Sequence, residues 1–178
     1  MNRKLKNEEL DRLSVEEFKP HVKSPIRVIL DDVRSLANVG AVFRTSDAFL
    51  IEEIFLCGIT GCPPHRDIQK TALGATESVK WTYTESVLTA IDSCRKDGFY
   101  IAAIEQSENS IRLDKLELSQ PVAIIMGNEV HGVSQSAIDL CDGVIEIPQD
   151  GTKHSLNVSV ATGVVLWELY KKAKGQQI

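Results

Sequence analysis

The sequence predicts an α/β fold with a mainly parallel sheet and helices on both faces. Segments rich in β-branched residues alternate along the chain with segments of helical periodicity of about 10–15 residues, which is typical of βαβ units. One predicted strand, at 121–127, is almost continuously apolar, as strands covered on both faces are. Because the 178 residues contain no internal repeat and no linker, we expect a single domain over 1–178, in which 1–24 form a helical N-terminal extension.

The first half of the chain contains three segments with the apolar, β-branched character of strands, at 25–33, 53–59 and 80–84. Ahead of them, an amphipathic pattern favours a short helix over 8–18, outside the core. Apolar residues at helical spacing predict a second helix over 39–50. The pair Pro63-Pro64 indicates a loop at 60–69, which leads into a helical turn within 70–79.

The second half predicts three further strands, at 99–105, 121–127 and 143–148. A helix over 86–98 is indicated by an apolar stripe from Val87 to Cys94, and Gly98 is suited to end it. Residues 107–120 have the composition of a polar connection, and Ser134 is expected to begin a helix that extends to Cys141.

The C-terminal stretch 154–172 combines two patterns. Apolar and polar residues alternate from Leu156 to Val160, as in a half-buried strand, but the apolar segment then continues too far for one strand. We interpret Ser155–Asn157 as a loop and expect a helix from Val158 onward. This helix would be apolar nearly all round, as is typical of one buried between the sheet and a partner subunit.

Composition narrows the classes of function. A hydrophobic fraction of 43% with 25% charged residues is ordinary for a soluble globular domain, and neither a membrane-spanning run nor a secretory signal is visible, so we expect a cytoplasmic protein. The net charge of −5 argues against a general nucleic-acid binder but leaves room for a local basic patch. The spacing of Cys57, Cys62 and His65 is not that of a zinc site, so we expect no metal.

Three predicted loops share glycine together with a carboxamide or carboxylate. They contain Asn38 and Gly40, then the segment 127–132, and then Gly151 to Asn157. Since ligands of open parallel sheets bind beyond the carboxyl ends of the strands, these loops are the strongest candidate site. The sequence contains no P-loop, no G-x-G of a dinucleotide-binding loop and no G-x-S-x-G nucleophile elbow, which disfavours nucleotide hydrolysis, dehydrogenase and serine hydrolase chemistry.

The same loops carry three motifs in order: NVGAVFRTSDAF from Asn38, IIMGNEVHGVS from Ile124, and IEIPQDGTKHSLNVSVATGVVLWEL from Ile145. With them the chain resembles the SpoU/TrmH group of SPOUT RNA methyltransferases over roughly 27–170. The resemblance implies an α/β domain whose C-terminal third forms a trefoil knot. It further implies S-adenosylmethionine bound in that knot, a homodimer that pairs through the C-terminal helix, and methylation of a ribose 2′-hydroxyl of tRNA or rRNA.

The resemblance also assigns roles to residues. The catalytic set is Arg44, Asn38, Glu129, Ser155 and Asn157. A guanidinium is a poor general base near neutral pH, so we favour an Arg44 that holds a phosphate and stabilises the developing alkoxide. Glu129 would accept hydrogen bonds from Arg44 or from the substrate ribose. Without the resemblance, Arg44 has the pattern of a surface arginine, Glu129 that of a loop glutamate, and Ser155 and Asn157 that of a helix cap.

For the cofactor, the resemblance points to six residues at the ends of the later strands: Ile104, Glu105, Gly127, Gly132, Ile147 and Leu156. The glycines would let the backbone approach the cofactor, and Ile147 and Leu156 would enclose the adenine, although by residue type both are also ordinary core residues. Arg66 and Lys70 would join Arg44 in binding RNA phosphates.

Two other functions stay open on the sequence alone. A catalytically inactive knotted protein could hold RNA or cofactor without transferring a methyl group. An unrelated α/β enzyme could act on a phosphorylated small molecule. Binding of S-adenosylmethionine separates the second from a methyltransferase, and the effect of removing Arg44 separates the first.

Overall fold

The computed structural model describes residues 2–117 and 119–175. Its strands are β1 (Ser24–Asp31), β2 (Ile51–Cys57), β3 (Trp81–Thr84), β4 (Tyr100–Ile104), β5 (Ile111–Arg112), β6 (Val122–Met126) and β7 (Gly143–Glu146). Its helices are α1 (Val15–Phe18), α2 (Leu36–Ala48), α3 (Arg66–Ala72), α4 (Ala75–Ser78), α5 (Val87–Lys96), α6 (Gln135–Ile138) and α7 (Val158–Gly175), with 3₁₀ turns at Asn7–Glu9 and Leu113–Lys115.

The seven strands form one sheet in the order β3-β2-β1-β6-β4-β7-β5, and every pairing between these strands is parallel. β6 is buried along its whole length, as its apolar run predicts. Alternate side chains enter two cores: Val28 and Leu30 pack on one face beneath α2 and α7, while Ile29 and Ile125 pack on the other beneath α5 and α6. The predicted α/β class is therefore confirmed.

The predicted helix over 8–18 is wrong. A 3₁₀ turn at Asn7–Glu9 is followed by extended chain, and α1 begins only after Ser14, whose hydroxyl accepts from Glu17 N. Asp11 has a φ of 45°, which a right-handed helix cannot contain. Phe18, 4% exposed, anchors this segment to the core, while Leu10 and Leu13 stay exposed.

Two predictions in the middle of the chain need correction. The predicted loop at 60–69 ends early, because α3 starts at Arg66 with His65 as its N-cap, whose ring nitrogen accepts from Asp67 N. The polar connection at 107–120 includes the edge strand β5, which pairs with β7. Two exposed residues are too short a segment for periodicity to reveal. Leu118 of this connection lies outside the described residues, as do the ends of the predicted domain at Met1 and 176–178.

The predicted helix from Ser134 to Cys141 is shorter than expected and spans Gln135–Ile138. The Ser134 hydroxyl does not cap it but donates to the buried Asp31 Oδ2 at 2.8 Å. The other strands and helices lie within a few residues of their predicted bounds, and the stripe from Val87 to Cys94 is buried as predicted.

The C-terminal stretch is a helix, as predicted, and α7 begins at Val158. Within a single chain, one face of this helix is buried and another is exposed. Val165, Leu166 and Leu169 enter the core, whereas Val160, Val164 and Trp167 are 53%, 41% and 51% exposed. No helix in the described residues is long and apolar enough to cross a bilayer.

Candidate active site

A cavity of about 620 Å³ lies at the carboxyl ends of β4, β6 and β7. All six residues predicted to bind the cofactor line it: Ile104, Glu105, Gly127, Gly132, Ile147 and Leu156. Three of the five predicted catalytic residues, Glu129, Ser155 and Asn157, line it as well. The parallel sheet therefore brings together residues that are separated by more than fifty positions, as the rule for ligand sites in such sheets predicts.

The loop after β6 forms one wall and is closed too tightly for side chains at its two glycines. A Cβ on Gly127 would lie 2.1 Å from the carbonyl carbon of Gly132. Gly132 has a φ of 70°, and a Cβ there would lie 2.1 Å from Glu105 Oε2. Paired backbone hydrogen bonds between Asn128 and Gly132, of 3.0 and 2.9 Å, close the loop. Both glycines are thus required by the close approach of backbone and carboxylate.

The second wall comes from the end of β4. Glu105 accepts hydrogen bonds from Val133 N at 3.2 Å and from Gln106 N at 2.9 Å. Gln106 in turn donates through Nε2 to the His154 carbonyl at 2.7 Å, and so ties β4 to the segment that precedes α7. This wall is held by hydrogen bonds to neighbouring loops, which fixes the carboxylate of Glu105 on the cavity surface.

A chain of side-chain hydrogen bonds connects the first turn of α2 with the cavity loops. Asn38 Nδ2 donates to Glu129 Oε1 at 3.0 Å, and Asn157 Nδ2 donates to Asn38 Oδ1 at 3.2 Å. The Asn157 Oδ1 accepts from Ser159 Oγ at 2.6 Å and from Ser159 N at 2.9 Å. Since Asn157 Oδ1 is occupied by these donors, its amide nitrogen must face Asn38. This fixes which amide atom donates and which accepts in each side-chain hydrogen bond from Asn157 to Glu129.

Glu129 holds the start of α2 in place. Besides Asn38, its carboxylate accepts from Arg34 N at 2.9 Å and from Ser35 N at 3.0 Å. Partial burial acts to raise the pKa of Glu129, but these hydrogen bonds outweigh it and hold the pKa below its usual range. The carboxylate is therefore ionised near neutral pH, and its contacts are to the protein's own donors.

Arg44 lies elsewhere. It is exposed on α2, six residues after Asn38, which places it about 9 Å further along the helix axis. It does not line the large cavity but a second one of about 310 Å³, together with Phe18 and Asp47. Within a single chain, the structure thus joins Asn38 to Glu129 and Asn157, and it leaves Arg44 apart from them.

Arg66 and Lys70 occupy neighbouring positions of α3, at i and i+4, and both are exposed. The helix lies against α2 so closely that a Cβ on Gly40 would be 2.3 Å from the Ile68 carbonyl oxygen. The two cations therefore lie on a helix packed beside the one that carries Arg44.

Ser159 is the functional candidate that the sequence reasoning missed. Its hydroxyl contacts both Asn157 and, at 3.4 Å, the Asn38 Oδ1. The available signal was its place two residues after Asn157 at the start of a helix, where serine hydroxyls often bond to nearby backbone and side chains.

The cysteines show no features of a metal site. Burial raises the pKa of Cys57 to about 12, which keeps this thiol protonated. In the part of the chain that the structure describes, no group of three or more His, Cys, Asp and Glu side chains could hold a metal ion.

Comparison with known proteins adds an independent finding. The model of the SpoU rRNA Methylase family matches residues 25–167. A Staphylococcus haemolyticus protein assigned to the TrmH family of tRNA/rRNA methyltransferases is 30% identical over 145 residues, which cover 82% of this chain and 58% of that protein. The chain thus spans less than two thirds of the length of this relative.

Solved structures agree with the fold. The A. aeolicus TrmH/SpoU tRNA modifying enzyme superposes with a TM-score of 0.82 and 26% identity, over 92% of this chain and 82% of that one. The AdoMet-bound rRNA methyltransferase from Sinorhizobium meliloti superposes with a TM-score of 0.78 and 28% identity, over 90% of this chain and 61% of that one.

Proposed function

The chain belongs to the SpoU rRNA methylase family, and on that premise we propose that it is a methyltransferase that uses S-adenosylmethionine to methylate a ribose 2′-hydroxyl of tRNA or rRNA. The observation that carries this proposal is the cavity of about 620 Å³, in which all six residues expected to bind the cofactor meet. We place the enzyme in the cytoplasm, where its RNA substrates are.

The residues of the cavity fit S-adenosylmethionine. Gly127 and Gly132 leave backbone bare at the loop after β6, Ile147 and Leu156 offer apolar surface for an adenine, and Glu105 offers a carboxylate for ribose hydroxyls. When bound, this cofactor supplies a methyl group activated by its positive sulfur. The protein's task is to hold the acceptor hydroxyl in line with that group and to exclude competing water.

Arg44 is the residue we propose to contact the RNA at the reacting ribose. Its guanidinium is exposed and can donate to a phosphate and to the oxygen on which negative charge develops. The guanidinium is already protonated and cannot accept the hydroxyl proton, so this proton passes to water or to an RNA phosphate oxygen as the new oxygen–carbon bond forms and the bond between that carbon and the sulfur breaks.

Glu129, Asn38 and Asn157 act as positioning residues in this proposal. Their hydrogen-bond chain ties the first turn of α2 to the cofactor loops, so that the helix carrying Arg44 is held in a defined place relative to the cavity. The contacts of Glu129 with the protein's own amides support this role over direct contact with Arg44.

We further propose that two chains pair through α7. Val160, Val164 and Trp167 form an exposed apolar stripe at i, i+4 and i+7, and Trp167 lies next to Phe49 and Tyr170, with ring centroids 5.8 and 6.3 Å away. A second copy would cover this stripe. It would also double the number of basic side chains available to RNA at Arg44, Arg66 and Lys70. This matters because the chain as a whole is acidic, with a net charge of −5.

Pairing is tested by light scattering on the Trp167→Glu variant. We expect a monomer, because a buried carboxylate would oppose the association. Val22→Glu serves as the matched control, because Val22 is 79% exposed and lies outside α7. A Trp167→Glu protein that stays a dimer would rule out this interface.

The proposed reaction is tested by transfer of tritiated methyl groups from S-adenosylmethionine to RNA from a strain that lacks the protein. We expect label on ribose, with Arg44→Ala as the inactive control. Label on base atoms would contradict ribose methylation. Absence of S-adenosylmethionine binding at tens of micromolar in calorimetry would reject the methyltransferase altogether, and binding without any transfer would favour a catalytically inactive protein that only holds the cofactor.

A further inference from the structure

The second cavity, of about 310 Å³, has a wall that does not belong to the part of the chain matched by the family. Leu13, Ser14, Val15 and Phe18 line it, and all precede residue 25, where the family match begins. Its other walls are Arg44 and Asp47 from α2 and the junction of α3 and α4 around Leu73. This cavity lies beside Arg44, and no role has been assigned to it so far.

The N-terminal wall of this cavity is held firmly. Phe18 is 4% exposed and packs into the core that contains Val28 and Leu30. Lys23 lies over the Phe18 ring, 4.0 Å from its centroid, and its ammonium donates to the Phe18 carbonyl. Ser14 and Glu17 cap α1 reciprocally, with Ser14 N donating to Glu17 Oε2 at 2.8 Å. The wall is therefore preformed and needs no ligand to order it.

The chemistry of this cavity matches one nucleotide. A volume of about 310 Å³ is at the lower end for small-molecule sites, which suits a nucleotide and is half that of the cofactor cavity. Leu13 and Leu73, 44% and 65% exposed, supply apolar surface from two separate segments. An extruded base can lie between apolar side chains of this kind.

Charged groups complete the match. In the residues that the structure describes, the guanidinium of Arg44 and the carboxylate of Glu77 make no hydrogen bond or ion pair, so both are available to a ligand. Asp47 accepts from Ser78 through Oδ2 and keeps its second oxygen for another donor. Arginine suits a phosphate, and carboxylates accept from exocyclic amino groups of bases.

We propose that this cavity binds one nucleotide of the RNA strand and selects a base that carries an exocyclic amino group. The phosphate contacts Arg44, and the base lies against Leu13 and Leu73. The amino group donates to Asp47 or Glu77. This inference rests on the proposed function for its choice of RNA. It assigns one wall of the nucleotide site to the segment 13–18 and the selection of the base to Asp47 and Glu77.

The wall is tested with Leu13→Ser and its matched control Leu10→Ser, an exposed leucine of the same segment that does not line the cavity. With RNA from the strain lacking the protein, we expect kcat/KM of Leu13→Ser to fall roughly fivefold, because the substitution removes apolar surface that would contact the base. Cofactor affinity and the unfolding midpoint should match those of Leu10→Ser. Equal RNA kinetics of the two variants would overturn the inference.

Base selection is tested by competition binding of single-stranded oligoadenylate, oligocytidylate and oligouridylate, with a labelled random RNA as the probe. The wild type should prefer adenylate and cytidylate over uridylate, which has no amino group, and Glu77→Gln should narrow the difference. Equal competition by all three would refute base selection. Because this assay needs no methyl transfer, it separates the failure of this site from the failure of the proposed reaction.

Discussion

The two turns of α2 that carry the motif residues differ in how far one chain completes them. Asn38, in the first turn, is held by Glu129 and Asn157 and belongs to a network that reaches the cofactor cavity. Arg44, further along the helix, is exposed, and its guanidinium forms no side-chain hydrogen bond or ion pair within 2–117 and 119–175. The difference indicates that a single chain completes the network beside the proposed cofactor cavity and leaves the Arg44 guanidinium available for the proposed contact with RNA.

The largest effect is expected for Arg44, the exposed motif residue of α2. Arg44→Ala should reduce kcat of methyl transfer by about 10²–10³, the usual loss for a donor that stabilises developing negative charge. The dissociation constant of S-adenosylmethionine, measured by calorimetry, should stay unchanged, because Arg44 does not line the cofactor cavity. Arg44→Lys should stay well below the wild type, since an ammonium lacks the guanidinium's fork of donors. Weaker cofactor binding in Arg44→Ala would contradict the separation of Arg44 from the cofactor cavity.

The next largest effect is expected for Gly127, in the loop that forms one wall of the cofactor cavity. Gly127→Ala places a Cβ 2.1 Å from the carbonyl carbon of Gly132, which we expect to destabilise the fold by about 1–3 kcal/mol and to weaken S-adenosylmethionine binding. Gly151→Ala is the control, because nothing lies within 4 Å of a Cβ there. Urea unfolding and calorimetry of both variants measure the effect, and similar behaviour of the two would contradict a tightly closed loop.

The role of Glu129, which links the start of α2 to the loop after β6, is tested by the pH dependence of stability. The pKa of Glu129 is lowered in the folded protein, so its ionised form stabilises the fold above its ordinary pKa, and this contribution is lost as the pH falls through the folded value. Glu129→Gln should therefore be less stable than the wild type near pH 7, and the difference in unfolding free energy should shrink as the pH falls below the ordinary pKa of a glutamate. Urea unfolding at several pH values measures it; a gap that is constant with pH would exclude the proposed role of the charge.

The smallest effect is expected for Ser159, which donates to Asn157 in the hydrogen-bond network with Asn38 and Glu129. Ser159→Ala removes one donor to Asn157 Oδ1, which still accepts from Ser159 N and Val160 N. We expect a loss of about 0.5–1.5 kcal/mol in unfolding free energy and a modest fall in kcat. Ser93→Ala, at an exposed position of α5, serves as the comparison. A fall in kcat as large as that of Arg44→Ala would mean that Ser159 contacts the reacting groups.

Much of the fold followed from the sequence, because the signals are local. The apolar run of β6 and the stripe of α5 report burial directly, and the alternation of strands and helices implies a parallel sheet. The loops at the carboxyl ends of the strands could be named in advance for the same reason, and the residues expected to bind cofactor do share one cavity. The knot stays a prediction from the resemblance.

Long-range partners were decided by the tertiary structure. The contacts of Asn38 with Glu129 and Asn157 join residues 91 and 119 positions apart, and no periodicity carries that information. The same holds for the separation of Arg44 from this network, and for the docking of Phe18 that forms the wall of the second cavity. Sequence patterns determine which face of an element is buried, whereas packing determines which groups meet across it, because contact depends on how distant segments cross in space.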